Sequence, residues 1–315
     1  MRFIARAQVV VLAALAVLLL LGSAGGARAA QAGVYDTHFM RQAGVAPGQV
    51  KLAFPLPVGA RALAVTDPGS LALLGRAQLG DVVKVDVDDL VNPTQITKVE
   101  QVTRWVGKGP RVLTFLIVAA LLALVLAGVT RFRPLSLLVG KDGRYSNSQV
   151  QLALWFGAVA LVYLSAVWLR FEWLGADFIG GVALTSNLIA LTGLSAISFG
   201  GAKVITLQKI ANAQGNASSS PPGSPPAGKT PGKPNLITDL FQNDQGDSDL
   251  GDVEMILITV LAVVIFVAAS FHFLGKLALA SPVTLPDVDT TLLAGFGIGQ
   301  GAYLFKKAAL PLGQG

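Results

Sequence analysis

The amino-acid sequence predicts an all-α membrane bundle of about five transmembrane helices, with a duplicated two-helix unit, behind a small β-rich extracytoplasmic N-terminal domain. Three observations predict it. Of 315 residues, 53% are hydrophobic and only 13% charged, where a soluble domain carries about a quarter charged residues. Nearly uncharged runs recur around 112–130, 150–169, 178–202, 255–275 and 290–305, each suited to a hydrocarbon core roughly 30 Å thick. The segment 31–110 ahead of them instead alternates polar and apolar residues between turn signals, the period-two pattern of half-buried strands.

The chain opens with the layout of a secretory signal peptide over 1–30. Arg2 and Arg6 precede an apolar block over 9–21, and small residues end in Ala27, Arg28, Ala29 and Ala30. That is a charged region, a short apolar region and an A-x-A-like cleavage site, which would leave Gln31 first. An uncleaved anchor helix is the competing reading. Either one places 31–110 outside the cytoplasm. Within that segment Val82, Val83, Lys84, Val85, Asp86, Val87 and Asp88 alternate, and Asp67-Pro68-Gly69 and Asn92-Pro93 mark turns. A partial sandwich is expected, small enough to lean on the membrane part for stability.

Helices 1–3 are assigned to 111–211, covering 112–130, 149–169 and 178–206, and helices 4–5 to 252–315, covering 255–275 and 290–305 before a cytoplasmic tail. The net charge of +6 is concentrated beside these runs, so it is read as a topology signal and nucleic acid is excluded as a partner. Arg131, Arg133, Lys141, Arg144, Lys203, Lys209, Lys306 and Lys307 flank the ends assigned to the cytoplasm, against Arg170 and Lys276 in the outer loops. Export and charge bias thus agree on a multi-pass protein of the inner (cytoplasmic) membrane with its C-terminus in the cytoplasm. Between helices 3 and 4, 212–251 reads as a disordered cytoplasmic linker. It is rich in Ser, Gly and Pro over 218–234 and acidic at its end, a composition that cannot bury apolar surface. The stretch 235–241 has an apolar face and suits a short helix on the bilayer or on the bundle.

Self-comparison aligns 149–154 with 252–257 and, one residue further shifted, 188–194 with 292–298, which sets Lys203 on Lys307. The first repeat runs over 149–207. A duplication in the same orientation implies a pseudo-twofold axis along the membrane normal; the bland reading is that Leu, Ala and Gly recur in any membrane helix. Gly193, Gly200, Gly297 and Gly301 are candidate helix-packing residues, since small side chains let backbones approach where lipid offers no hydrophobic drive. Asn187 and Gln300, placed inside the third and fifth helices, are expected to hydrogen-bond between helices.

Chemistry is sparse. With no cysteine there is no disulfide, thiolate ligand or thiol nucleophile. His38 lies in the exported segment and His272 near the outer end of the fourth helix, where it is read as interfacial; two distant histidines fall short of the three or four ligands zinc needs. The run Asp244, Asp247, Asp249, Asp252, Glu254 fails the EF-hand spacing, and Asp249 or Asp252 suits an N-cap. No P-loop, G-x-S-x-G or H-E-x-x-H string occurs, so enzyme is the weakest class and no catalytic residue, metal or cofactor is assigned.

Two strings are distinctive. Gly140 to Gln151 reads GKDGRYSNSQVQ, in which Lys141, Asp142, Arg144 and Tyr145 are candidate contacts for lipid headgroups or a partner. Gly297 to Lys307 reads GIGQGAYLFKK, with Leu285-Pro286-Asp287 ahead of it. Together they resemble a poorly characterised family of bacterial multi-pass membrane proteins with a KDGRYS-x-S-x-x-Q motif and a C-terminal G-I-x-Q-G-A-Y-L-x-K-K motif. The resemblance covers about residues 135 to 309 and implies the architecture without a reaction. The leading functional expectation is a non-enzymatic anchor or scaffold linking an exported domain to cytoplasmic partners, as a homo-oligomer or with another protein. A small channel or transporter subunit is the alternative, and a transmembrane sensor the third.

Overall fold

The computed structural model describes residues 34–40, 46–89, 92–140, 145–217, 235–241, 250–280 and 282–309. The expected signal peptide, Lys141, Asp142, Arg144, the stretch 218–234 and Asp244, Asp247 and Asp249 lie outside the described residues. The chain divides into two compact units, one of Met1–Phe115, Leu164–Ala183 and Ser270–Leu285, the other of Leu116–Tyr163, Leu184–Ala269 and Pro286–Gly315.

In the first unit the strands β1 (Val34–Phe39), β2 (Gln49–Ala53), β3 (Ala60–Val65), β4 (Val82–Val87) and β5 (Gln95–Trp105) follow the predicted alternation, with helix α1 (Pro68–Leu74) between β3 and β4. In β4 the alternation is literal: Val83 and Val85 are buried, while Lys84 between them points outward and pairs with Glu100 at 2.7 Å. Hydrogen bonding to Glu100 raises the Lys84 pKa. Helix α1 starts where Pro68 fixes the first turn and Asp67 accepts from the Ser70 amide at 2.7 Å. The Ser70 hydroxyl in turn accepts from the Val99 amide at 2.8 Å. There the ladder shifts register, Lys84 facing Gln101 and Val85 facing Val99, so the hydroxyl supports β5 at a bulge.

β1 pairs antiparallel with β2 and β4, β2 with β3 and β4 with β5, and β3 meets β5 in parallel at Ala64–Gln95 and Val65–Ile96. This closes the order β1-β2-β3-β5-β4 with a helix between β3 and β4, the connectivity of an OB barrel. The expected partial sandwich is therefore corrected to a single closed sheet. The pairing that closes it is short and joins strands far apart in sequence, which alternation does not encode.

β3 leaves the far end of one β5 edge open. That end is taken by β7 (Lys276–Ala278), antiparallel, with Thr103 facing Ala278 and Trp105 facing Lys276. The barrel core, which includes Leu52, Leu63, Val83, Val85 and Ile96, is completed by Phe178 and Leu279. A second ribbon pairs β6 (Val182–Ala183) in parallel with β8 (Val283–Thr284).

Among the described residues, four helices are long and apolar enough to cross a membrane: α2 (Lys108–Val129), α3 (Asn147–Leu174), α4 (Ser186–Ala217, over its stretch to Ile205) and α6 (Leu250–Phe273, from Val253). Only 11% of the α2 window is buried against 28 to 33% in the others, so α2 makes the least of its own chain. The third apolar helix begins at Ser186 instead of 178, because 178–185 holds the end of a 3-10 turn and β6. The expected fifth forms helix α7 (Thr290–Ala309), capped by Asp289, which accepts from the Thr291 amide at 2.7 Å. Hydrogen bonding to the Thr291 side chain and amide lowers the Asp289 pKa.

In the second unit, a methyl placed on Gly201 would lie 3.3 Å from Leu304, and one on Gly297 3.9 Å from Leu194. Both contacts rise together along the two chains, so α4 and α7 run parallel and in step. The short helix α5 (Leu236–Phe241) seats Leu240 against Val150 and Ile256, and Asp239 accepts from the Tyr145 amide at 3.1 Å. Of the two resting places expected for this stretch, it takes the bundle.

Candidate functional site

The two distinctive strings meet inside the second unit. Gln151 lies five residues into α3, and it is 1% exposed; Gln300 of α7 is 3% exposed. Gln300 Nε2 donates to Gln151 Oε1, and Gln151 Nε2 donates to the Met255 carbonyl of α6 at 3.3 Å. The same carbonyl accepts from Thr259 Oγ1 at 2.8 Å. Gln300 Oε1 is buried without a partner. One turn along α3, Trp155 packs between Phe266 and Phe296 with ring centroids 6.3 and 6.1 Å away, and its Nε1 is likewise unpartnered. One turn the other way, Asn147 Oδ1 is a third such atom, and Ser198 Oγ of α4 a fourth. A buried amide, indole or hydroxyl without a partner costs about 1–3 kcal/mol, so four of them mark a place where something besides packing is at stake.

The first unit buries three arginines among its described residues. Arg104 forks onto Asp81, with Nη2 to Oδ2 at 2.9 Å and Nε to Oδ1 at 3.1 Å. It also donates through Nη2 to the Arg76 carbonyl at 3.2 Å and through Nη1 to that of Trp173, in the last turn of α3. Arg111 donates to the Phe271 carbonyl near the end of α6 at 2.6 Å and lies 4.6 Å over the Phe271 ring. Arg170, 2% exposed, donates to the carbonyls of Phe178 at 3.0 Å, Ala278 at 3.3 Å and Ala280 at 2.7 Å. The last carbonyls of a helix have no partner within it and carry its negative dipole end. Arg104 and Arg111 supply those partners for α3 and α6, and Arg170 stitches the two connectors 175–185 and 276–289 together.

This revises the reading of Arg170 as a loop charge. It sits within α3 and is spent on carbonyls, so it is no free headgroup cation. Lys276 does stay exposed, 4.8 Å over the Trp105 ring.

The predicted packing residues separate. A methyl on Gly297 would meet Leu194 at 3.9 Å, whereas one on Gly193, Gly200 or Gly301 would meet nothing within 4 Å among the described residues. Gly201 is the tight position instead. Gln300 bonds across helices to Gln151. Asn187 does not: the later start of α4 puts it in the first turn, where Nδ2 donates to Asp287 Oδ2 at 2.9 Å and to the Val288 carbonyl at 3.1 Å. Thr185 Oγ1 donates to the other Asp287 oxygen at 2.6 Å, so Asp287 of the Leu-Pro-Asp string clamps the start of α4. Of the proposed headgroup contacts only Tyr145 is described, half-buried beside Leu240 and Phe241. Trp155, whose place near the end of an apolar run suggests an interfacial anchor, is instead fully buried, and sequence reading passed over Gln151 and the arginine–carbonyl bonds. The available signals were an arginine at the end of an apolar run and an amide one turn into another.

Among the described residues, no group of three or more His, Asp or Glu could hold a metal ion. No protein-family model, curated protein or solved structure matches this chain.

Proposed function

We propose that the protein is a non-enzymatic integral membrane anchor that presents an extracytoplasmic OB-type barrel as part of its own helix ends. One observation carries this reading: the barrel takes its sixth strand from Lys276–Ala278 and two core side chains, Phe178 and Leu279, from connectors that join the apolar helices. A tethered domain would hang on a linker. This one shares a sheet and a core with the connectors 175–185 and 276–289, and its Arg104 binds a carbonyl in the last turn of α3.

In this reading α7 is a fifth crossing, the signal peptide is removed, and the chain sits in the inner membrane with its barrel outside and its tail inside. α3–α4 and α6–α7 are two copies of one helix pair. In support, Leu194 aligns with Ile298 and lies beside its neighbour Gly297, Gly201 aligns with Phe305 and lies beside its neighbour Leu304, and β6 and β8 pair in parallel. Lys141, Asp142, Arg144 and Tyr145 are assigned to contact with inner headgroups or a partner, and the likeness to bacterial multi-pass membrane proteins belongs to the same proposal. So do a homo-oligomer or a protein partner at the outward faces of Gly193, Gly200 and Gly301.

Because the chain has no cysteine, single cysteines at Gly48, Lys276 and Gly315 can report sidedness in intact cells. Labelling by an impermeant maleimide is expected at the first two alone; labelling at Gly315, or its absence at Gly48, overturns the topology. A second reading, a small channel subunit, is favoured by the buried amides. Solute flux in proteoliposomes that is lost on Gln300→Leu would select it over the anchor.

A further inference from the structure

Of the four unpartnered atoms of the second unit, two lie on one face of α3 and a third on the glutamine bonded to that face. Asn147, Gln151 and Trp155 occupy one face of α3 at successive turns, rising about 12 Å in all at 1.5 Å per residue. Gln300 is bonded to the middle one, and Phe296, a turn away on α7, packs on Trp155. Because α4 runs in step with α7, Ser198, midway between Leu194 and Gly201, stands at the height of Gln300. All of these side chains are more than nine-tenths buried.

Their chemistry specifies the occupant. Gln300 Oε1 and Asn147 Oδ1 can only accept, Trp155 Nε1 can only donate, and Ser198 Oγ can do both. An ion would satisfy one kind and repel the other. A small neutral molecule that donates and accepts at once satisfies all of them, and the close approach of Gly201 to Leu304 keeps it small.

We propose that this face of α3 carries a file of internal water, entered from the Asn147 end and held by Gln300 Oε1 and Ser198 Oγ. The file reaches Trp155 Nε1 and stops where the Trp155, Phe266 and Phe296 rings close the interior. Buried polar atoms of this kind are the usual hosts of conserved internal water. The inference stands whether the protein is an anchor or a channel. In the channel reading it supplies the inner half of a pathway with an aromatic barrier above it.

The test uses full-length protein in lipid nanodiscs, pulsed with hydroxyl radicals for microseconds so that ordered water is activated in place. Mass spectrometry then reads oxidation at Trp155, with exposed Trp105 as the reference. The file predicts oxidation of Trp155 despite its burial, reduced severalfold in Ser198→Ala and in Gln300→Leu while Trp105 is unchanged. Unmodified Trp155 beside oxidised Trp105 overturns it. Oxidation of Trp155 that is undiminished in both variants equally overturns the assigned atoms. If Gln300→Leu fails to fold, Ser198→Ala, which deletes a single hydroxyl, decides alone.

Discussion

Gln300 donates a hydrogen bond to Gln151, so two strings that stand apart in the sequence share one buried bond. Gln151 passes the connection on to the Met255 carbonyl, which also takes the Thr259 hydroxyl. Three helices are thereby fixed in rotation about one layer. Leucine at either glutamine would pack as well in an apolar bundle but would leave the other amide unsatisfied. The single variants Gln151→Leu and Gln300→Leu are each expected to lose about 1–3 kcal/mol. The double variant should lose clearly less than their sum. A double-mutant cycle measured by unfolding in mixed micelles checks this, and additivity would show the bond to be incidental.

Arg104 is the corresponding element of the barrel. Its fork binds Asp81, and two of its N–H groups also reach carbonyls, one of them at the end of α3. Removing one partner of a buried ion pair strands the other, at a cost of about 3–5 kcal/mol. Arg104→Ala should therefore expose the barrel to limited proteolysis while helix content is retained. Arg104→Lys should rescue little, since an ammonium cannot span the carboxylate and both carbonyls at once. Full rescue by lysine would mean that charge alone matters there.

The sequence made the apolar helices and the strand alternation of 82–88 legible because both are local: a run of leucines and alanines, or a valine at every second place, decides its own environment. What it hid was non-local. β7 is three residues that read as a loop between two helices, and Phe178 looked like the start of a helix, whereas it is a core residue of the barrel. The third helix starts eight residues later than its hydropathy, because 178–185 is apolar for the barrel and the β6–β8 ribbon rather than for lipid. The glycines separate for a related reason. Composition names the small residues, but which side of α4 and α7 meets a neighbour depends on packing, and that selected Gly201 and Gly297.

Those two glycines give a direct contrast. Gly201→Leu would drive a large side chain into Leu304, where even a methyl stands at 3.3 Å. It is expected to separate α4 from α7 and cost about 1–3 kcal/mol through overpacking. Gly193→Ala and Gly200→Ala should instead be neutral or slightly stabilising, since alanine is the better helix former. Thermal inactivation of the detergent-solubilised protein ranks the three. Loss at Gly193 or Gly200 as large as at Gly201 would point to a partner on the outward face.

Asp88 gives a pH dependence. It accepts from the Thr94 hydroxyl and from the amides of Gln95 and Thr94, both at 2.9 Å, and organises the β4–β5 connection. These bonds, the Thr94 hydroxyl first, hold its carboxyl well below the usual carboxylate range. A carboxylate with a depressed folded-state pKa stabilises the fold fully above its unfolded value of about 3.9, and the contribution fades as the pH falls below that. Asp88→Asn should thus melt below the wild type at pH 7 and pH 5, with the gap closing toward pH 3. A gap constant across that range would remove the charge from the account.

The barrel's dependence on the connectors yields the last expectation. The fragment 31–110 contains all five barrel strands and α1 but lacks β7, Phe178 and Leu279, and it leaves Arg104 without its α3 carbonyl. Burying a phenylalanine is worth about 3–5 kcal/mol against alanine, a large share of what a domain of this size has in reserve. Secreted alone, the fragment should show poorly dispersed amide resonances and rapid hydrogen exchange. In the full chain Phe178→Ala should raise exchange in β2, β4 and β5 while leaving α6 and α7 protected. A fragment that folds with native-like protection would make the barrel autonomous, and the shared strand would then be a docking contact laid over a finished domain.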